Sequence, residues 1–152
     1  MAIEYFHIKE RDFDLVEQLV EMESANYEEG AALDVFELIA MLRHARVYVA
    51  VENDRILGTV YFMRNFDNPD KVFLHSINVA SPEETPNLGI SLLNIAFADM
   101  RSFGIKIVEV NVDPSNYKAL KVYREQLEFV ACDSMQSEIL NGEEILMLQK
   151  EL

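Results

Sequence analysis

The chain has 152 residues, half of them hydrophobic, which suits one domain with a single sizeable core. Lys and Arg number 13 against 27 Asp and Glu, and the resulting net charge of −14 repels nucleic acid and anionic membrane, so neither is an expected partner. The single cysteine excludes an internal disulfide, and no stretch approaches the ~18 uncharged apolar residues of a membrane span.

The first five residues show no basic stretch followed by an apolar run, so no secretory signal is read there and the cytoplasm is the expected compartment. Residues 3–8 suit a first strand. Asp12 opens a helical pattern in which Phe13, Val16, Leu19, Val20 and Met22 recur near helical spacing, until Gly30 breaks it. A second helix is expected over residues 31–44, with Leu33, Phe36, Leu38, Ile39 and Leu42 as its buried positions. Residues 12–42 hold no Lys or Arg but carry Asp12, Asp14, Glu17, Glu21, Glu23, Glu28, Glu29, Asp34 and Glu37. Two readings stand: the solvated faces of two amphipathic helices, or a rim that attracts a cationic substrate.

Residues 46–52 read as a strand, Asn53-Asp54 as a two-residue turn, and residues 56–63 as the partner strand with Gly58 at a bulge. A loop around Pro69 leads to a fourth strand, residues 72–79. A polar loop follows, then an apolar helix over residues 87–102, burying Leu88, Leu92, Leu93, Ala96, Phe97 and Met100 and ended by Gly104. Residues 105–112 form a fifth strand. Strand, helix, strand implies that the fourth and fifth strands pair in parallel through a right-handed crossover. Ser115 is placed to cap a helix reaching Leu127, and residues 129–140 and 143–152 flank the hairpin signal Asn141-Gly142. Cys132, beside Phe129-Val130-Ala131, is read as a buried small side chain rather than a nucleophile. The expected class is α/β, an α+β mixed sheet of about seven strands with four helices, in one domain over residues 1–152.

A strand running into a loop and a helix N-terminus is a general anion site, because the first helical amides lack internal partners and the helix dipole is positive there. Val79-Ala80-Ser81-Pro82-Glu83-Glu84-Thr85-Pro86-Asn87-Leu88-Gly89-Ile90 has that arrangement. It resembles the coenzyme loop of the GNAT superfamily of acetyl-CoA-dependent N-acetyltransferases. Val79 takes the aliphatic place, Glu84 the Arg or Gln place, Asn87 the first Gly place and Gly89 the last, followed by Leu92-Leu93. The resemblance implies that Ile77 and Val79 border the coenzyme and that amides at Thr85, Asn87, Leu88, Gly89 and Ile90 hold its pyrophosphate. The loop also departs from the pattern: Glu84 is anionic, Pro86 has no N–H, and Asn87 carries a side chain.

Asn116-Tyr117-Lys118-Ala119-Leu120-Lys121-Val122-Tyr123, then Leu127-Glu128-Phe129, is similar to a second GNAT pattern, with Glu128 in the place of a Gly. Asn116, Ala119 and Tyr123 share one helix face. The resemblance implies that Asn116 contacts the pantetheine arm, that Ala119 lets the arm pass, and that Tyr123 offers its phenol to the leaving thiolate. Read without the family, the same residues make a capped amphipathic helix with Tyr123 packed on the sheet.

His75 stands four residues before Val79, where many relatives carry a carboxylate. It is either the base that takes the amine's proton or a histidine satisfied within the sheet. His7 and His44 lack such placement, and no His, Cys and Asp cluster has metal-ligand spacing, so no metal is expected. The implied activity is acetyl transfer from acetyl-CoA to a small-molecule or peptide amine, direct and in a ternary complex, with a cationic acceptor favoured by the acidic segment. GNAT proteins often dimerise through their C-terminal strands, which makes a homodimer a further expectation. The alternative is a catalytically degenerate member that binds a ligand or a protein.

Overall fold

The computed structural model describes residues 2–9, 13–27, 32–137 and 142–152. Along these residues run β1 (Glu4–Ile8), α1 (Val16–Asn26, after a 3₁₀ turn at Phe13–Leu15), α2 (Val35–His44), β2 (Arg46–Glu52) and β3 (Arg55–Arg64). Then follow β4 (Lys71–Val79), α3 (Leu88–Ser102), β5 (Ile107–Val112), α4 (Tyr117–Lys121, continued by a π turn at Val122–Gln126), β6 (Val130–Ser137) and β7 (Glu143–Glu151). The strands form one mixed seven-stranded sheet in the order β1-β2-β3-β4-β5-β7-β6. β4 and β5 are parallel, as the strand–helix–strand order requires, and their register runs from Lys71↔Ile107 to Leu74↔Val110 while β4 continues to Val79. Backbone contacts group the chain into two compact units, Met1–Met63 with Ser76–Asp99, and Arg64–His75 with Met100–Leu152.

In the first unit, α1 and α2 cover one face of the sheet. Leu19, Met22, Leu38 and Leu42 pack with Val47, Val49 and Val51 of β2 and with Ile8, Ile56 and Tyr61. Strand alternation turns Tyr48 and Phe62 to the other face, where Phe62 meets Phe97 of α3 edge-on at 6.3 Å. Burying each such side chain is worth roughly 2 kcal/mol. α2 starts with a capping box in which Asp34 accepts from the Glu37 amide and Glu37 from the Asp34 amide. Its buried stripe is Leu38, Met41 and Leu42. Phe36 corrects the expectation: it is 83% exposed, because it lies about 200° around the helix from Leu38.

Asn53 and Asp54 both have positive φ, 52° and 61°, the conformation of a tight primed hairpin turn. The bulge in the β2–β3 ladder sits at Leu57, since Ala50 faces Gly58 and Val51 faces Ile56. Gly58 answers a different need. A Cβ there would stand 2.5 Å from Leu88 Cδ2, so glycine lets the first residue of α3 approach β3.

In the second unit, Lys71 of β4 pairs with Glu109 of β5, which Gln149 of β7 also meets. α3 ends at Gly104 (φ 83°) in a Schellman arrangement, with the Gly104 amide on Arg101 O at 3.0 Å and the Ile105 amide on Met100 O at 3.2 Å. That bond holds Ile105 in the cap, and β5 begins at Ile107. Asn116, not Ser115, caps α4: its Oδ1 accepts from the Ala119 amide at 3.2 Å, while the Ser115 hydroxyl donates to Asp113 Oδ1 at 2.8 Å. Cys132 also corrects the expectation, for it is exposed. The register shifts between Ala131 and Asp133, which makes Cys132 the extra residue of a bulge, and its thiol donates to Met147 O at 3.4 Å. β6 and β7 pair antiparallel with Gly142 at φ 74°. Asn141 of that hairpin signal lies outside the described residues, as do Asp12, Gly30 and Ala31.

Candidate active site

β4 ends at Val79, and the Ala80 amide donates to the carbonyl of the bulged Leu57 at 2.9 Å. The loop then winds on Ser81, whose carbonyl accepts from the Glu84 amide, the Thr85 amide and the Thr85 hydroxyl. The Leu88 amide donates to Thr85 O at 3.2 Å, and the Ser91 amide makes the first full helical bond, to Asn87 O at 3.0 Å. Of the five amides named from the sequence, those of Thr85 and Leu88 are therefore engaged in the turn. Gly89 and Ile90 occupy the first turn of α3, where N–H groups have no intrahelical partner. A Cβ on Gly89 would stand 3.5 Å from Ile77 Cδ1 and from Val79 Cγ2, so Ile77, Val79 and Gly89 lie together. Glu84, Pro86 and Asn87 are exposed. A helix of 15 residues headed by open amides beside a glycine fits an anion of the phosphate class.

The second motif lies in the other unit. Asn116 is exposed and Ala119 half-buried. Tyr123 is 8% exposed, sits in the π turn, and meets Phe129 edge-on at 5.3 Å. Single π turns inside helices are frequent at functional sites. Glu128 adopts φ 61°, the left-handed region, which accounts for a glycine at that place in the family pattern and carries a strain of roughly 1 kcal/mol here. Lys118, Lys121 and Arg124 are exposed.

Along β4, Val72, Leu74, Ser76 and Asn78 are buried, while His75 on the opposite face is exposed. The buried face leads to a polar cluster that the sequence reading did not pick out. Glu23 of α1 is 1% exposed and accepts from Ser76 Oγ at 3.3 Å and Asn78 Nδ2 at 3.4 Å. Asn78 Nδ2 also donates to Thr59 Oγ1 at 3.1 Å. Tyr27, just beyond α1, donates its hydroxyl to Ile77 O at 3.2 Å. Burial raises the pKa of the Glu23 carboxyl, the bonds from Ser76 and Asn78 oppose the rise, and Glu37 adds to it. Burial raises the Tyr27 and Tyr61 hydroxyls too, with the charge of Glu23 adding in both cases. The signal was present in the sequence, since Val16, Leu19 and Glu23 fall on one helical stripe.

Among the described residues no group of three or more His, Cys, Asp and Glu could hold a metal ion. No helix among them is long and apolar enough to cross a membrane.

The chain matches the model of the acetyltransferase (GNAT) family over residues 13–129. No curated protein matches it. Similar solved structures include a putative GNAT-family acetyltransferase from Desulfovibrio desulfuricans, with TM-score 0.81 and 17% identity over 99% of each chain. The ribosomal-protein-S18-alanine N-acetyltransferase from Escherichia coli has TM-score 0.78 and 14% identity over 99% of this chain and 94% of its own. A chain of the NatC complex bound to Gag peptide and CoA has TM-score 0.81 and 18% identity over 100% of this chain and 99% of its own. At such identities the likeness is one of fold.

Proposed function

The chain belongs to the GNAT acetyltransferase family, and from that premise we propose that it moves an acetyl group from acetyl-CoA to an amine by direct transfer in a ternary complex. The observation that carries this reading is the first turn of α3, which holds Gly89 and Ile90 and in which Gly89 lies against the side chains of Ile77 and Val79. Those amides, with that of Asn87, bind the pyrophosphate of the co-substrate. Asn116 and Ala119 border the pantetheine arm. A backbone N–H near Val79 meets the thioester oxygen as negative charge develops on it, a contribution of about 3 kcal/mol to the barrier.

The amine lone pair forms the new N–C bond, and the C–S electron pair leaves on sulfur. Tyr123 supplies a proton to that sulfur, and the amine's proton goes to a base. Among the described residues, His75, exposed on β4, and the buried Glu23 suit the base's role. The acceptor is a small-molecule or peptide amine. A cationic one is favoured by the exposed Asp14, Glu17, Glu21, Asp34 and Glu37.

Calorimetry with acetyl-CoA, followed by an assay for acetylated amine, tests the proposal. Binding with transfer is expected. Binding without transfer would favour a degenerate ligand-binding member, the reading that Glu84 and Pro86 support, and no binding at millimolar coenzyme would defeat coenzyme use altogether. Tyr123→Phe should lower turnover about tenfold or more while coenzyme affinity changes little. Unchanged turnover would defeat the acid role.

A further inference from the structure

We propose that Tyr27 is a positioning residue for acetyl transfer: its hydroxyl takes the place of a strand partner for the Ile77 carbonyl and so fixes the end of β4. This role rests on the amine acetyltransfer reading and adds to it the means by which the amide near Val79 is held in place.

β5 accompanies β4 only from Lys71 to Leu74, and Ile77 comes three residues later. A strand end that loses a neighbour must find other partners for its backbone groups or leave them to water. Successive residues of a strand turn their N–H and C=O groups to alternate edges. Ala80, directly after β4, turns its amide to Leu57 O of β3 at 2.9 Å, so Ile77 and Val79 present theirs to the edge away from β3. The Tyr27 hydroxyl donates to Ile77 O at 3.2 Å.

Further contacts keep the phenol where it is. The Tyr27 amide donates to Glu23 O at 3.0 Å and closes α1. The Glu23 side chain accepts from Ser76 Oγ at 3.3 Å and from Asn78 Nδ2 at 3.4 Å. The end of α1 thus grips three consecutive residues of β4, Ser76 and Asn78 by their side chains and Ile77 by its backbone. Tyr27 is half-buried, and burial together with the charge of Glu23 raises the pKa of its phenol. The hydroxyl therefore stays protonated, and a donor, at neutral pH.

Ile77 O and the Val79 amide share one edge of the strand. With the carbonyl tethered, that edge cannot swing. A donor that meets developing charge is effective only when its place is fixed before the reaction begins, and a shift of about 1 Å costs much of its effect.

The test compares Tyr27→Phe and Tyr27→Leu with the parent chain, using acetyl-CoA and a short peptide with a free α-amine. Phenylalanine keeps the ring and loses only the donor, whereas leucine loses the ring as well. In Tyr27→Phe kcat should fall about tenfold, close to 1.4 kcal/mol in the barrier, and by the same factor at every pH. KM for the peptide and calorimetric affinity for acetyl-CoA should change by less than about twofold. Tyr27→Leu should unfold at a lower temperature yet lose no more in kcat than Tyr27→Phe. A kcat that follows loss of the ring rather than loss of the hydroxyl would assign Tyr27 to packing and overturn the proposal. So would wild-type kcat in Tyr27→Phe, or a limb of the pH profile that disappears with the hydroxyl.

NMR of the coenzyme-free protein reads the clamp without an acceptor. In Tyr27→Phe the Ile77 carbonyl carbon resonance should move upfield, and the Asn78 and Ala80 amides should exchange with solvent several times faster. An unmoved resonance with unchanged exchange overturns the clamp even if the parent acetylates the peptide. Failure of the parent to bind coenzyme, with the carbonyl shift present, would uphold the clamp and count against the acetyltransferase reading instead.

Discussion

Gly58 faces the start of α3 and Gly89 lies within its first turn, and the two differ in what a side chain would meet. A Cβ on Gly58 would intrude on Leu88 at 2.5 Å, whereas on Gly89 it would make ordinary contacts at 3.5 Å. A side chain would therefore force a neighbour, the Leu88 side chain, to shift only at the first. Alanine at position 89 should leave folding intact, or improve it by up to about 1 kcal/mol through helix propensity. If the Gly89 amide is approached by the pyrophosphate, Gly89→Ala should weaken coenzyme binding about tenfold, close to 1.4 kcal/mol. Calorimetry beside thermal unfolding measures both, and an unchanged affinity would remove Gly89 from the coenzyme site. Glu128 makes a related point. Its positive φ is the conformation that glycine adopts without strain, so a side chain stands where the backbone favours none.

Between elements, the join of β2 to α3 depends on one carboxylate. Asp99 accepts from Tyr48 OH at 2.6 Å and from Arg46 at 2.9 Å, while Arg46 Nε donates to Tyr48 OH at 2.8 Å. Burial acts to raise the Asp99 pKa, but the bonds from Tyr48 and Arg46 outweigh it and hold the carboxyl below its ordinary value. A depressed folded pKa means that the carboxylate stabilises the fold above the unfolded value of about 3.9, and that this stability is lost as pH falls through the folded pKa. The pair is partly exposed, so its worth is modest. Asp99→Asn should cost roughly 1 kcal/mol at neutral pH. The gap between variant and parent should narrow in acid, and thermal unfolding across the acid range would reveal a gap that stays constant.

At the scale of the molecule, a net charge of −14 acts over distance. The exposed acids of α1 and α2 make the helical side of the first unit strongly negative. For a lysine-rich peptide acceptor, kcat/KM should fall severalfold as salt shortens the screening length from about 30 Å at 0.01 M to about 8 Å at 0.15 M. A neutral peptide should show no such fall. Equal salt dependence for the two would mean that the acids are ordinary solvated faces.

Element order, the parallel β4–β5 pair, the buried stripe of α3 and family membership were all legible in the chain itself. Helical stripes, strand alternation, turn dipeptides and loop motifs are local patterns, and neighbours in sequence suffice to write them. What only the tertiary structure decided depends on partners from far along the chain. Glu23 belongs by periodicity to the buried stripe of α1, but its hydrogen bonds come from Ser76 and Asn78, 53 and 55 residues away. Cys132 was turned outward by a bulge that exists only where β6 meets β7, and the capping role passed from Ser115 to Asn116 because Asp113 took the serine hydroxyl. A buried polar group is tolerable only when its hydrogen-bond partners arrive with it, and folding alone brings those partners together.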